Sequence, residues 1–371
     1  MNRRRFLWTM GAGAAVAAAR AAAIRATPPE PAHLPPARLK HWAWMRGNVT
    51  MMDEWRRTLG RLRSAGIEAI LIGGTPDSYR TVAPVVRAEG LELHAWLFTL
   101  MRGEHVKTHP EWYAVSRAGV STAERPPYVN YYRFLCPSRD EVREYLAGVV
   151  RELAEVEGLA GVHLDYIRYP DVILPVALWP KYNLVQDKEY PEFDFCYCKV
   201  CRDLFKRQSG IDAAEIADPP AHRAWLRYRY DSITRVVSDL AAIVRSRGKP
   251  ITAAVFPTPA IARALVRQDW TTWKVDAVLP MVYQGFYKED VAWIERATRE
   301  GVKALGGRLP LYAGLYVPDL PPADLGRAIE RALAGGASGV SVFQGDTLTP
   351  EHLEAFSAAV KRAGATSGGA P

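Results

Sequence analysis

The sequence predicts an α/β fold, a single (β/α)8 barrel with long loops after its third and fourth strands. Three observations lead there. From Arg38 onward, short apolar runs alternate with amphipathic stretches about eight times, the rhythm of βα units. Gly, Pro or Asp turns separate the stretches, so each unit is delimited. Eight strands with matching helices in one chain favour a closed barrel over an open doubly wound sheet, and no Gly-x-Gly-x-x-Gly follows the first strand to point to a dinucleotide.

The elements follow in order. A first strand at 40–45 leads into Met51 to Ala65, whose apolar residues recur at helical spacing until Gly66 stops them. Strands at 67–73 and 91–99 come next, followed by an irregular loop over 100–137. Glu141 to Val156 repeats the helical spacing before Gly158, and an apolar strand at 161–167 ends near Pro170, which cannot donate to a ladder. A Pro- and aromatic-rich insertion fills 171–221. Helices at 222–247, 288–304, 322–335 and 350–363 then alternate with strands at 250–256, 276–283, 309–315 and 338–344. The barrel domain is expected to span 38–364, with a disordered tail at 365–371.

The first residues concern address. Arg3-Arg4-Arg5-Phe6-Leu7 followed by an apolar stretch from Trp8 to Ala19 has the layout of a twin-arginine export signal over 1–26, joined by a Pro/Ala-rich linker at 27–37. The stretch is too short to span a bilayer, and no Cys follows it to take a lipid. The expectation is a periplasmic or secreted protein, handed to the twin-arginine export machinery, with no stable membrane insertion. Removing the five arginines of that segment from the 48 Lys and Arg leaves 43 cations against 40 acids, so the formal charge of +8 falls to +3. No basic block interleaved with aromatics remains, which argues against nucleic acid as a partner.

The most informative run is His163-Leu164-Asp165-Tyr166-Ile167-Arg168-Tyr169-Pro170, a carboxylate, a cation and two phenols at the end of a strand. In parallel α/β architectures the C-terminal strand ends carry the chemistry. The other strand ends supply Trp44, Trp96, Arg102, Tyr283, Gln284, Tyr316 and Gln344. Sugars offer flat C–H faces to aromatic rings and hydroxyls to polar groups, so such a mouth suits a glycan. Glycoside cleavage needs two carboxyl groups. Asp165 is the first candidate; Asp346 past the eighth strand and Glu104 in the third loop are candidates for the second. Arg168, Tyr166, Tyr169 and the aromatic strand ends would bind substrate. Alternation places His163 on the same side of its strand as Asp165, where it could hydrogen-bond below the site. The plainer alternative for Asp165 and Arg168 is a pair bracing a loop.

The stretch from Phe134-Leu135-Cys136-Pro137-Ser138 through Glu141-Val142-Arg143-Glu144-Tyr145-Leu146 to the Asp165 motif resembles the family-10-like glycosyl hydrolases of bacteria, and Val275 to Tyr283 is similar to that family's sixth strand. The resemblance implies a TIM-barrel hydrolase of bacterial polysaccharide or cell-wall glycan with Asp165 in its active site and no cofactor required for catalysis. No Glu stands at the sixth or seventh strand end, a departure from true family-10 xylanases.

Cys196, Cys198 and Cys201 form a Cys-x-Cys-x-x-Cys run, and Cys136 stands far off in sequence. Three outcomes are open: a structural zinc site, two disulfides in an oxidising compartment, or free or partly paired thiols. Two further functional classes remain beside the hydrolase: a non-catalytic glycan-binding barrel, and another carbohydrate-active enzyme such as a lyase or deacetylase.

Overall fold

The computed structural model describes residues 39–47 and 51–367. The expected export signal, its linker and the end of the expected tail lie outside the described residues. Eight parallel strands, β1 (Trp42–Met45), β2 (Ala69–Ile72), β3 (Glu92–Phe98), β4 (Gly161–Asp165), β5 (Ile251–Val255), β6 (Ala277–Pro280), β7 (Ala313–Tyr316) and β8 (Val340–Phe343), form one sheet in the order β6-β5-β4-β3-β2-β1-β8-β7. Two parallel bridges, Val278 to Leu311 and Met281 to Gly314, join the ends of that order and bring the sheet round into a barrel. Gly314 permits the close approach: a Cβ there would lie 2.7 Å from the Pro280 carbonyl oxygen.

Period-two alternation divides each strand between two cores. Trp42, Trp44, Ala69, Leu71, Ala254, Ala277, Leu279 and Tyr312 fill the barrel, with Trp96 and Phe343 packed against them. Ala43, Met45, Ile70, Ile72 and their counterparts face outward into the larger core beneath the helices. The register pairs His94 with Gly161 and Phe98 with Asp165, so Trp96 and Asp165 stand on neighbouring strands at the same mouth.

Nine helices are described: α1 (Met52–Ala65), α2 (Pro76–Ala88), α3 (Asp140–Glu155), α4 (Lys199–Ser209), α5 (Arg223–Ser246), α6 (Pro259–Val266), α7 (Val291–Leu305), α8 (Pro322–Ala334) and α9 (Pro350–Ser367). Local chemistry sets their ends. The α2 N-terminus carries a reciprocal cap between Thr75 and Ser78 followed by Pro76, and α1 stops at Gly66 with φ of 106°. Sequence periodicity anticipates the long helices and omits α2, α4 and α6, which are shorter or interrupted; Pro84 lies inside α2. Helix α9 continues to Ser367, into the stretch expected to be a tail. The insertion after β4 is also more ordered than its composition suggests, since α4 runs through it. Among the described residues no helix is long and apolar enough to cross a membrane.

Candidate active site

Asp165 is the last residue of β4, and the chain turns sharply after it. Tyr166 adopts a positive φ of 48°, a conformation that costs a non-glycine residue about 1–2 kcal/mol. The turn lets the Tyr166 amide donate to Asp165 Oδ1 at 2.6 Å, while Trp96 Nε1 donates to Oδ2 at 2.9 Å. Both carboxylate oxygens are thereby aimed by neighbours. Asp165 is buried, and that desolvation pushes its pKa up against the opposing pull of Trp96, the Tyr166 amide and Arg168. Burial disfavours the charged carboxylate, so this group holds its proton to higher pH than an ordinary aspartate.

Beside it lies a buried polar knot. Arg168 Nη1 donates to Asp171 Oδ2 at 2.9 Å, and Arg168 Nη2 donates to the Tyr132 hydroxyl at 2.6 Å. The Tyr132 hydroxyl in turn donates to Asp171 Oδ2. The guanidinium sits 5.1 to 5.6 Å from the ring centres of Tyr132, Phe134, Tyr166 and Phe256, an aromatic cage that favours a cation. Such a charge is tolerable in the interior because Asp171 pairs it and the rings surround it.

These groups face a cleft of about 390 Å³ at the C-terminal mouth of the barrel. Its lining includes Asp165, Arg168 and Asp171 from the β4 end, Trp44, Trp96 and Phe98 from earlier strands, and Tyr283, Tyr316 and Phe343 from later ones. The long loop after β3 contributes Tyr128, Tyr131 and Tyr132, and the insertion after β4 contributes Leu174, Pro175, Lys181 and Tyr182. Both long connections are therefore pocket walls, as their length suggests. The rings of Tyr283 and Tyr316 each stack on Phe343, at 6.3 and 6.0 Å, and are tilted by 39° to one another at 5.3 Å, forming an aromatic wall.

Of the residues expected at the site, Asp165, Arg168, Tyr166, Trp44, Trp96, Tyr283 and Tyr316 line this cleft. The others stand elsewhere. Glu104 accepts from Arg102 and from Tyr145, each at 2.9 Å, and neither Glu104 nor Arg102 is part of the lining. Asp346 pairs with Arg46 at 3.4 Å, and Gln344 accepts from the same arginine at 3.1 Å, outside the cleft. His163 lies deeper in the barrel: its Nδ1 meets Thr252 Oγ1 at 2.8 Å, its ring packs on Trp44, and burial lowers its pKa to about 3. It makes no hydrogen bond to Asp165. Gln284 is buried outside the lining, and Tyr169 turns away into the core against the cysteines.

Asp171 and Tyr132 escaped the sequence reading. Asp171 directly follows Pro170, three residues from Arg168, and the run Tyr128-Val129-Asn130-Tyr131-Tyr132 carried the aromatic signal. The four cysteines, by contrast, do converge. All are buried and none is in a disulfide.

Solved structures with the same fold include the catalytic domain of β-amylase from Paenibacillus polymyxa (TM-score 0.60, 13% identity, covering 88% of this chain and 99% of that one). The PgaB (BpsB) glycoside hydrolase domain from Bordetella bronchiseptica matches at TM-score 0.60 and 13% identity, over 89% of this chain and 98% of that one. A β-galactosidase from Rahnella sp. R3 reaches TM-score 0.65 at 13% identity, over 90% of this chain and 57% of the other. At such identities the likeness establishes the TIM-barrel fold alone. No curated protein sequence matches the chain. The model of the glycosyl hydrolase-like 10 family matches residues 75–321, from α2 to the start of α8 and across the whole β4 mouth, and the chain belongs to that family.

Proposed function

We propose that the protein is an exported glycoside hydrolase that cleaves a polysaccharide or cell-wall glycan, with Asp165 as the general acid. The observation that carries this reading is the setting of Asp165: a carboxyl raised in pKa by burial, its oxygens held by two donors, at the rim of an aromatic cleft. A general acid must keep its proton until the glycosidic oxygen receives it, and burial is how proteins arrange that at neutral pH. Asp171 is the other carboxyl lining the cleft among the described residues, and it takes the role expected of Glu104 or Asp346. Arg168 and Tyr132 hold it in place, and the flanking aromatic rings receive the sugar faces. The reaction needs no cofactor in this scheme. The Arg3-Arg4-Arg5 segment supports export by the twin-arginine machinery to the periplasm or beyond, which suits an extracellular glycan, and the near-neutral body of the chain gives no reason to invoke nucleic acid as a partner.

One feature favours a second reading. Asp171 Oδ2 already accepts from both Arg168 and Tyr132, and a carboxyl so engaged is a poor nucleophile or base, which is what a barrel that binds a glycan without cleaving it would show. Mass spectrometry of products from plant polysaccharides, bacterial exopolysaccharides and peptidoglycan strands separates the two. Oligosaccharides released by the unmodified protein and by neither Asp165→Asn nor Asp171→Asn support the hydrolase; tight retention of one glycan without product supports the binding barrel.

A further inference from the structure

Four cysteines drawn from two separate loops meet behind the cleft. Cys136 stands at the end of the long loop after β3, with its amide donating to the Trp112 carbonyl at 2.8 Å. Cys196, Cys198 and Cys201 come from the insertion after β4, where Cys198 precedes the first turn of α4 and Cys201 lies within it. Their sulfurs all lie within 4.8 Å of one another, with Cys136 Sγ 3.6 Å from Cys198 Sγ and 3.4 Å from Cys201 Sγ.

Those separations discriminate between the chemistries open to four thiols. A disulfide brings two sulfurs to about 2.05 Å and leaves them no third or fourth neighbour to satisfy. A tetrahedral ion bound at about 2.3 Å holds four sulfurs at mutual distances of about 3.8 Å, each equivalent to the other three. The observed set is nearer the second: no pair is at bonding distance, Cys136 Sγ has two sulfur neighbours at 3.4 and 3.6 Å, and all four lie within 4.8 Å. It is also closed: every one of the four is buried, so no coordination position faces solvent, the mark of a structural rather than a catalytic site. Further support comes from around the sulfurs. The Val115 amide donates to Cys196 Sγ at 3.3 Å, the kind of outer hydrogen bond that steadies a thiolate ligand, and Cys198 and Cys201 belong to the N-terminal end of α4, where the helix dipole favours negative charge.

We propose that Cys136, Cys196, Cys198 and Cys201 bind one zinc ion that clasps the loop after β3 to the insertion after β4. Both segments wall the cleft, the first through Tyr128 and Tyr132, the second through Leu174 and Lys181. The ion thus fixes the spacing of the walls and takes no part in bond breaking. This inference stands whether or not the barrel cleaves a glycan.

The test is elemental analysis of the full chain, purified without a metal-affinity tag or chelator from cells grown with added zinc. About one equivalent of zinc, released as a mercurial titrates the thiols and accompanied by a fall in thermal midpoint, is the expected result. Cys201→Ser should lose the zinc, while Cys198→His, which keeps a ligand atom, should retain most of it even if Cys201→Ser folds poorly. Less than a few tenths of an equivalent in the unmodified protein, iron in place of zinc, or the mass deficit of two disulfides under non-reducing conditions would overturn the proposal.

Discussion

Asp165 sits where two opposing effects meet, and burial wins over its hydrogen bonds. The consequence for activity has a definite sign. A general acid is competent only while protonated, so kcat/KM should fall on the alkaline side as Asp165 loses its proton, and that limb should lie above the usual aspartate range near pH 4. Asp165→Asn keeps the shape and removes the proton donor but turns its amide nitrogen toward one of the two N–H donors; activity should drop by about 10²–10⁴-fold, with a stability loss of about 1–3 kcal/mol that leaves the protein folded. An unchanged rate would remove Asp165 from the chemistry. Tyr132→Phe probes the neighbouring knot, because the lost hydroxyl both accepts from Arg168 and donates to Asp171. Leaving two buried charged groups short of a partner should cost about 1–3 kcal/mol in urea denaturation. At this scale the sequence made Asp165 and Arg168 legible, since a strand end followed by proline marks its own position. It could not rank the second carboxyl. Glu104 and Asp346 lie in the right loops, but side-chain direction decides the matter, and both turn to nearby arginines.

Elements were more legible than residues. All eight strands fall where apolar runs predicted them, since a barrel strand buried on both faces leaves an uninterrupted apolar signature. The helices missed, α2, α4 and α6, are those whose periodicity is broken by proline or shortened to two or three turns. What no pattern could show is the β6–β7 seam. There the strands meet through only the two bridges at Val278 and Met281, and Gly314 is the residue that lets them touch. A methyl group at Gly314 would stand 2.7 Å from the Pro280 oxygen and 3.2 Å from Met281 Cα, both backbone atoms that cannot rotate away. Gly314→Ala should therefore force the seam apart and destabilise the fold by about 1–3 kcal/mol. Because Met281 and Tyr316 flank the seam and line the cleft, substrate affinity should weaken with stability. Wild-type stability in the variant, measured by denaturant unfolding, would mean the seam is looser than its contacts imply.

The molecule as a whole buries several ionisable groups in its barrel, and their protonation sets how it meets acid. His163 and His41 are buried with pKa values lowered by desolvation to about 3 and about 4. The unfolded chain binds protons at these histidines from about pH 6.5 downward, while the folded chain does not. Stability contributed by each is complete above that pH and is lost as pH falls toward the folded value, at up to about 1.4 kcal/mol per pH unit per histidine. Asp165 acts in the opposite sense: its pKa is raised on folding, so its contribution is complete at low pH and declines as pH rises through the raised value. His94 is buried as fully and lowered in the same way, and the three histidines together make acid the net destabiliser between about pH 6.5 and pH 5. The unfolding free energy in urea should fall across that interval, and His163→Asn should flatten the slope by about 1.4 kcal/mol per unit while losing the contact to Thr252 at every pH. Parallel slopes for the two proteins would show that His163 is protonated in the folded barrel, and with it that water reaches the layer of side chains beneath Asp165.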